Sequence, residues 1–313
     1  MTSMPDTPIT ILHLGPWLAA EIQARIPAPY VLVPVHAQQD PAPLLHAHGA
    51  QARALICTSG GVPVTAALLA RLPAVELILN LGAGTETVDL DAARARGIQV
   101  LTGAGLNAVD VAELAMGLML ALTRRMVVAD RDVRAGRWTA DDVPVHRIGG
   151  RRAGIAGMGA IGQALARRLD AFDVSVSYFS RKPVAAVPWR HVPDLVTLAS
   201  EVDFLFVALP GGDATRHLVN ADVLRALGPS GSLISVGRGT AVDEAALVQA
   251  LQTGTIAGAG LDVFEHEPTV SPGLIASDRT VMTPHRGGFT AEAHESVLAL
   301  TLQRLNTHFF GKA

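Results

Sequence analysis

Short apolar runs alternate with stretches of helical spacing along almost the whole chain. The runs at Ile9 to Leu14, Val31 to Val35, Ala54 to Cys57, Leu77 to Leu81 and Gln99 to Leu101 read as strands, and Val64 to Arg71 and Leu90 to Arg96 between them read as helices. A longer helical pattern from Ala108 to about Ala135, capped by Asn107 or Asp110 and stopped by Gly136, is expected to bridge two lobes. A second series follows, with strands at Arg152 to Ala156, Val174 to Phe179, Phe204 to Leu209, Ser232 to Val236, Ala257 to Val263 and Val281 to Thr283. Gln163 to Leu169 is amphipathic, and a last helix, Ala291 to Phe310, is expected to return to the first lobe. This alternation predicts an α/β fold of two doubly wound parallel-sheet domains.

The second series opens with Gly157-Met158-Gly159-Ala160-Ile161-Gly162, placed between a strand and a helix. In a dinucleotide-binding βαβ unit such glycines give a tight turn, close backbone approach to the pyrophosphate and close packing of helix on strand. That makes this a Rossmann unit. At the end of its second strand, where an acidic residue would accept the adenosine ribose 2′-hydroxyl, stand Ser180, Arg181 and Lys182. A hydroxyl and two cations suit a 2′-phosphate, so NADP(H) is expected in preference to NAD(H).

Composition narrows the partners. The chain of 313 residues is 49% hydrophobic and 17% charged, which makes it globular and long enough for two domains. With 25 basic against 28 acidic residues, a net of −3 gives no electrostatic reason to expect nucleic acid or an anionic membrane. The apolar stretch Leu114 to Leu122 is too short to span a bilayer, and no secretory signal is read at the N-terminus, so a cytoplasmic protein acting on small molecules is expected. The lone Cys57 is read as an inert buried thiol. His46 and His48 lack a clear third ligand, so no metal is expected, and no Gly-x-Ser-x-Gly elbow supports hydrolase chemistry.

Three later segments each place polar residues at or beyond the C-terminal end of a strand, where ligands of an open parallel sheet bind. They are Val236-Gly237-Arg238-Gly239-Thr240, Leu261-Asp262-Val263-Phe264-Glu265-His266-Glu267-Pro268 and Met282-Thr283-Pro284-His285-Arg286-Gly287-Gly288. Arg238 can offer a planar fork to the carboxylate of a 2-oxo acid, and His285 can protonate its carbonyl. A carboxylate beside His285 would favour the imidazolium. Glu267 can be that partner, though chemistry alone does not rank it above Glu265.

These segments, together with Leu81-Gly82-Ala83-Gly84-Thr85-Glu86-Thr87-Val88-Asp89, Gly105 to Glu113 and Arg134-Ala135-Gly136-Arg137-Trp138, resemble the D-isomer-specific 2-hydroxyacid dehydrogenases over almost the full chain. The resemblance implies a smaller flavodoxin-like substrate domain (1–103 and 286–313), a dinucleotide-binding domain (104–285), a cleft between them and a homodimer. It implies Arg238 as substrate-binding arginine, Glu267, immediately before proline, as the partner of the histidine, and His285 as general acid/base. Substrate would also meet Leu81, Gly82, Ala83 and Gly84, and cofactor would meet Leu209, Pro210, Thr215, Val236, Gly237, Asp262 and Gly288. Thr58-Ser59-Gly60-Gly61 is read as a substrate contact or a capping turn, and Trp138 as core or as a residue reaching the neighbouring subunit's site. Within the family the chain looks most like NADPH-dependent hydroxyphenylpyruvate and glyoxylate/hydroxypyruvate reductases. Arg286 departs from the usual apolar residue and leaves the substrate open. The alternative function is a nucleotide-sensing binding protein, like the C-terminal-binding corepressors.

Overall fold

The structure, a computed structural model, describes residues 8–58, 60–138 and 144–311. The chain forms two compact units, Met1–Leu106 with Ala291–Ala313, and Asn107–Thr290.

In the first unit, β1 (Ile9–His13), β2 (Tyr30–Pro34), β3 (Ala52–Cys57), β4 (Leu77–Asn80) and β5 (Gln99–Thr102) form a parallel sheet ordered β2-β1-β3-β4-β5, the flavodoxin-like order. All residues of β1 and β4 are buried, which explains why these strands read as unbroken apolar runs without alternation. The Ala291–Phe310 helix buries Val297, Leu298 and Leu305 against Ile9, Ile11, Leu77 and Leu79. A two-pronged ion pair from Arg25 to Glu295, at 2.6 and 2.7 Å, fastens its outer side. His13, at the end of β1, is fully buried against His36, 4.9 Å between ring centroids, and burial followed by the His36 charge pushes its pKa down to about 4.

In the second unit, β6 (Arg152–Ala156), β7 (Ser175–Phe179), β8 (Arg190–His191), β9 (Phe204–Val207), β10 (Ser232–Ser235), β11 (Gly258–Leu261) and β12 (Thr280–Met282) form a parallel sheet ordered β12-β11-β10-β9-β6-β7-β8. Strand order reverses between β6 and β9, so the loops leaving their C-terminal ends diverge and open a crevice there. One core packs Leu205, Val207, Leu233 and Leu261 beneath Leu224, Leu247 and Leu251; another sets Ile155, Phe206 and Ile234 against Ala112, Ala115 and Met119.

Three expectations need correction. The helix expected from Ala108 to about Ala135 ends at Thr123 and restarts as Met126–Arg134, because Arg125 takes a left-handed φ of +51°. Burial on the first helix stops at Met119 and the second buries none of its residues, so no packing holds the two in one line. Both belong to the second unit. Neither expected side chain caps the helix: Asn107 makes no capping hydrogen bond, and Asp110 sits in the first turn and accepts the Thr290 hydroxyl at 2.5 Å. The chain returns to the first unit at Ala291 and not at Arg286, since the segment after His285 is tied to Asp262.

Among the described residues no helix is long and apolar enough to cross a membrane.

Candidate active site

The glycine-rich turn sits at the crevice where β6 and β9 diverge. Gly157 has φ +102°, and a Cβ there would stand 2.6 Å from the Ala208 carbonyl oxygen, so only glycine fits both the turn and the neighbouring loop. A Cβ on Gly162 would lie 2.1 Å from the Gly157 oxygen, which fixes how closely the Ala160–Ala171 helix approaches its own strand. Gly159 caps that helix with no side-chain hydrogen bond, and nothing lies within 4 Å of where its Cβ would be. The first-turn N–H groups around Ala160 and Ile161 thus have no side-chain cap at the positive end of the helix dipole, with open space beside Gly159. This seat fits a pyrophosphate. Met158 is buried and its carbonyl accepts the Gln163 side chain at 3.3 Å.

The other expected cofactor residues line neighbouring strand ends. Leu209 and Pro210 leave β9, and the Thr215 hydroxyl folds that loop on itself by donating to Pro210 O at 2.7 Å. Val236 and Gly237 leave β10, both with N–H groups on Val207 O at 3.0 Å. Past β7, the Ser180 hydroxyl donates to Lys182 O at 2.6 Å, so its proton serves the turn, where the sequence suggested it would serve a phosphate. Arg181 and Lys182 are exposed and, among the described residues, pair with no carboxylate. His191, on the short strand β8, braces the turn from the side with Nε2 2.9 Å from Ser180 O.

The other expected reacting group, His285, is held by the loop after β12. Its φ of +52° is left-handed, which costs a non-glycine residue about 1–2 kcal/mol. Its N–H donates to Asp262 O at 2.8 Å and to Thr283 O at 3.0 Å, which helps hold that conformation. The Asp262 side chain, 1% exposed, accepts the Thr283 hydroxyl at 2.6 Å, the Arg286 N–H at 2.7 Å and the Gly287 N–H at 2.8 Å. Asp262 thus moulds the loop on both sides of the histidine, a role the sequence reading did not give it. A carboxylate at the end of an apolar strand was the available signal, since a buried charge must be hydrogen-bonded.

His285 Nδ1 lies 2.7 Å from Glu267 Oε2, and Glu267 Oε1 accepts the Phe264 N–H at 3.0 Å. The Glu267 hydrogen bond raises the histidine pKa, against burial, with the Glu267 and Asp262 charges adding to the rise and Arg238 opposing it. Burial would raise the Glu267 carboxyl, but hydrogen bonds from His285 and Phe264, with the charges of His285 and Arg238, hold it below its ordinary value. With Nδ1 engaged, Nε2 is the nitrogen left to exchange a proton with a reactant. Arg238 follows β10, half-buried, with Nη1 on Gly237 O at 3.1 Å.

The choice between two glutamates that chemistry left open is decided by distance. Glu265 Oε1 takes Arg216 Nη2 at 2.8 Å and His217 Nε2 at 2.6 Å and makes no contact with His285. Arg286 stacks its guanidinium over the Phe289 ring, 4.2 Å from the centroid.

Leu81, Gly82, Ala83 and Gly84 belong to the first unit, just past β4, where the Asn80 amide donates to Gly82 O at 3.0 Å and also to Gly84 O. Cys57 is buried, its thiol pushed up to about 12 by burial. His46 and His48 lie on the Ala42–His48 helix, and no cluster of metal-binding type is found among the described residues. Thr58 is buried and Gly60 has φ +76°, whereas Ser59 lies outside the described residues. Gly288 closes the loop after His285, and Trp138 is 86% exposed.

Residues 116–287 match the model of the D-isomer specific 2-hydroxyacid dehydrogenase NAD binding domain. The chain belongs to this dehydrogenase family. It is 35% identical to the glyoxylate/hydroxypyruvate reductase HPR3 of Arabidopsis thaliana, covering 99% of this chain and 96% of that one. It is 41% identical to the hydroxyphenylpyruvate reductase of Plectranthus scutellarioides over 79% of each. Among solved structures, the NADPH-dependent glyoxylate/hydroxypyruvate reductase of Sinorhizobium meliloti, in complex with NADP and malonate, superposes with a TM-score of 0.87 at 37% identity, covering 97% of this chain and 94% of that one. A 2-hydroxyacid dehydrogenase from Ketogulonicigenium vulgare Y25 gives 0.91 at 39% identity, over 98% and 97%. For a dehydrogenase of this family, the seat at Gly157–Gly162 belongs to its NAD binding domain, and the His285–Glu267 pair lies in the same unit.

Proposed function

We propose that this dehydrogenase uses NADPH to reduce a small 2-oxo acid, of the glyoxylate, hydroxypyruvate or phenylpyruvate type, to the D-2-hydroxy acid. The observation that carries the reading is the 2.7 Å pair of His285 and Glu267, in one unit with Arg238 and an uncapped helix N-terminus. When bound, the dinucleotide supplies a hydride to C2 of the substrate. As the new C–H bond forms, the carbonyl π pair moves to oxygen, which takes a proton from His285 Nε2. The proton is restored from solvent, and Glu267 stabilises the imidazolium between turnovers. Arg238 orients the substrate carboxylate through its planar fork. Names of the plant relatives support the substrate class, and the NADP-bound reductase of Sinorhizobium meliloti supports the cofactor. Arg181 and Lys182, exposed and paired with no carboxylate among the described residues, give the phosphate preference a physical cause.

The test is a panel of glyoxylate, hydroxypyruvate and phenylpyruvate with each cofactor. A lost charge-assisted phosphate contact costs about 1.5–3 kcal/mol, so kcat/KM is expected to favour NADPH over NADH by roughly tenfold to over a hundredfold. Equal efficiency rejects the NADPH preference. Binding of NADPH without turnover of any 2-oxo acid favours a nucleotide-sensing protein. The working unit is proposed to be a homodimer, supported by Met126, Val127 and Val133, each more than half exposed on a helix that buries none of its residues. Light scattering measures its mass.

A further inference from the structure

Glu265 has a buried carboxylate that proton transfer does not use. Its side chain is 9% exposed, yet a single oxygen holds two groups from another loop, the Arg216 guanidinium through Nη2 at 2.8 Å and the His217 ring through Nε2 at 2.6 Å. Its backbone is held as well, since its N–H donates to Glu244 Oε2 at 3.0 Å while Glu244 Oε1 accepts the Ser271 N–H at 3.3 Å. His217 takes a left-handed φ of +49° and donates its own N–H to Thr240 O at 2.9 Å. Thr240 stands two residues past Arg238.

Arg216 and His217 close the loop that leaves β9 at Ala208. That loop starts at the crevice, where the Ala208 carbonyl lies 2.6 Å from where a Gly157 Cβ would be, and Thr215 folds it through the hydrogen bond to Pro210. Its far end is fastened by Glu265. On the same short segment, two residues on, Glu267 fastens His285. One stretch of chain therefore holds a wall of the dinucleotide seat with one glutamate and the proton donor with the next.

We propose that Glu265 is a positioning residue for the dinucleotide, fixing the Pro210–Thr215 loop through Arg216 and His217. The proposal rests on the reading of the chain as an NADPH-dependent reductase. A carboxylate suits this place because the Arg216 guanidinium and the His217 ring converge on one oxygen, and a neutral amide of the same shape holds the guanidinium more weakly. Orienting a binding loop from behind changes affinity for what the loop meets and leaves the chemistry of His285 alone.

The test compares Glu265→Gln, Glu265→Ala and Arg216→Gln with the unaltered chain. NADPH affinity is read directly, from the fluorescence of the bound nicotinamide, and kcat and KM are read with a 2-oxo acid. Losing a charge-assisted brace that acts at one remove is expected to raise the NADPH Kd roughly threefold to tenfold in Glu265→Gln, and more in Glu265→Ala, with kcat at saturating NADPH within about twofold. Arg216→Gln, at a side chain 52% exposed, should move Kd the same way by less. Unaltered Kd in Glu265→Gln and Arg216→Gln, whatever happens to thermal stability, overturns the proposal and leaves the reductase reading standing. If the unaltered chain itself neither binds NADPH nor reduces a 2-oxo acid, the reading it rests on fails first. A drop in kcat with unchanged Kd also overturns it, by placing Glu265 on the proton-transfer side.

Discussion

His285 is held in its charged form over a wider pH range than a free imidazole, because Glu267 both hydrogen-bonds and electrostatically favours the imidazolium. In the proposed reaction reduction consumes that proton, so its rate should hold at low pH and fall as pH rises through the raised histidine pKa; oxidation of the hydroxy acid should show the opposite limb. Glu267→Gln removes the charge and should bring the fall in reduction to lower pH. Glu265→Gln should leave the limb in place, since that carboxylate meets Arg216 and His217. His285→Ala should cost at least about a hundredfold in kcat while NADPH still binds. The pH–rate profiles of the two glutamine variants check the assignment, and a limb that moves with Glu265 alone rejects it. At this scale the pairing of His285 with a glutamate was legible because Arg, His and Glu in strand-end segments suggest their own chemistry. What supports them was not. Asp262 and Glu265 act by reaching other loops, through hydrogen bonds that only the folded arrangement of neighbouring strand ends creates.

Among elements, strands with both faces covered were the clearest to read, since burial on two sides forces a continuous apolar run such as Ile9 to Leu14. Periodicity failed where nothing was buried. The Met126–Arg134 helix continues the polar and apolar spacing of the one before it, yet the left-handed Arg125 separates them, and no local residue preference announces that turn. Strand β8, only 2 residues long, carries too little pattern to detect, although it places His191 against the Ser180 turn. The glycine turn is the opposite case, where one missing Cβ determines how an element packs. Gly162→Ala would set a methyl carbon 2.1 Å from the Gly157 oxygen and force the Ala160–Ala171 helix away from β6. Overpacking of this kind typically costs about 1–3 kcal/mol, and the displaced N–H groups should weaken NADPH binding at least tenfold. Gly159→Ala, with open space around its Cβ, is expected to fold normally. Thermal melts and NADPH titration of both variants separate packing from binding, and equal behaviour of the two rejects the close-approach argument.

For the molecule as a whole, composition and alternation were enough to foresee two parallel-sheet units, because each must bury its own sheet on both faces. The exact joins were not legible, since the last stretch of the second unit is kept there by hydrogen bonds to Asp262 that leave no periodic trace. Net charge bears on how ligands arrive. At −3 the chain as a whole does not attract an anionic dinucleotide or 2-oxo acid, so the proposed binding rests on local attraction, at Arg181, Lys182 and Arg238. Local attraction between exposed groups is screened over a Debye length of about 30 Å at 0.01 M salt and about 10 Å at 0.1 M. Direct pairing of the 2′-phosphate with exposed Arg181 and Lys182 should therefore weaken with salt, while contacts shared by both dinucleotides, at the pyrophosphate seat, change alike. Raising sodium chloride should increase KM for NADPH more steeply than KM for NADH, with kcat nearly constant. Neutralising Arg181 and Lys182 together should make the two salt dependences coincide. If NADPH and NADH already respond equally in the unaltered chain, the phosphate is not held by this pair of cations, and the source of any cofactor preference must be sought elsewhere on the second unit.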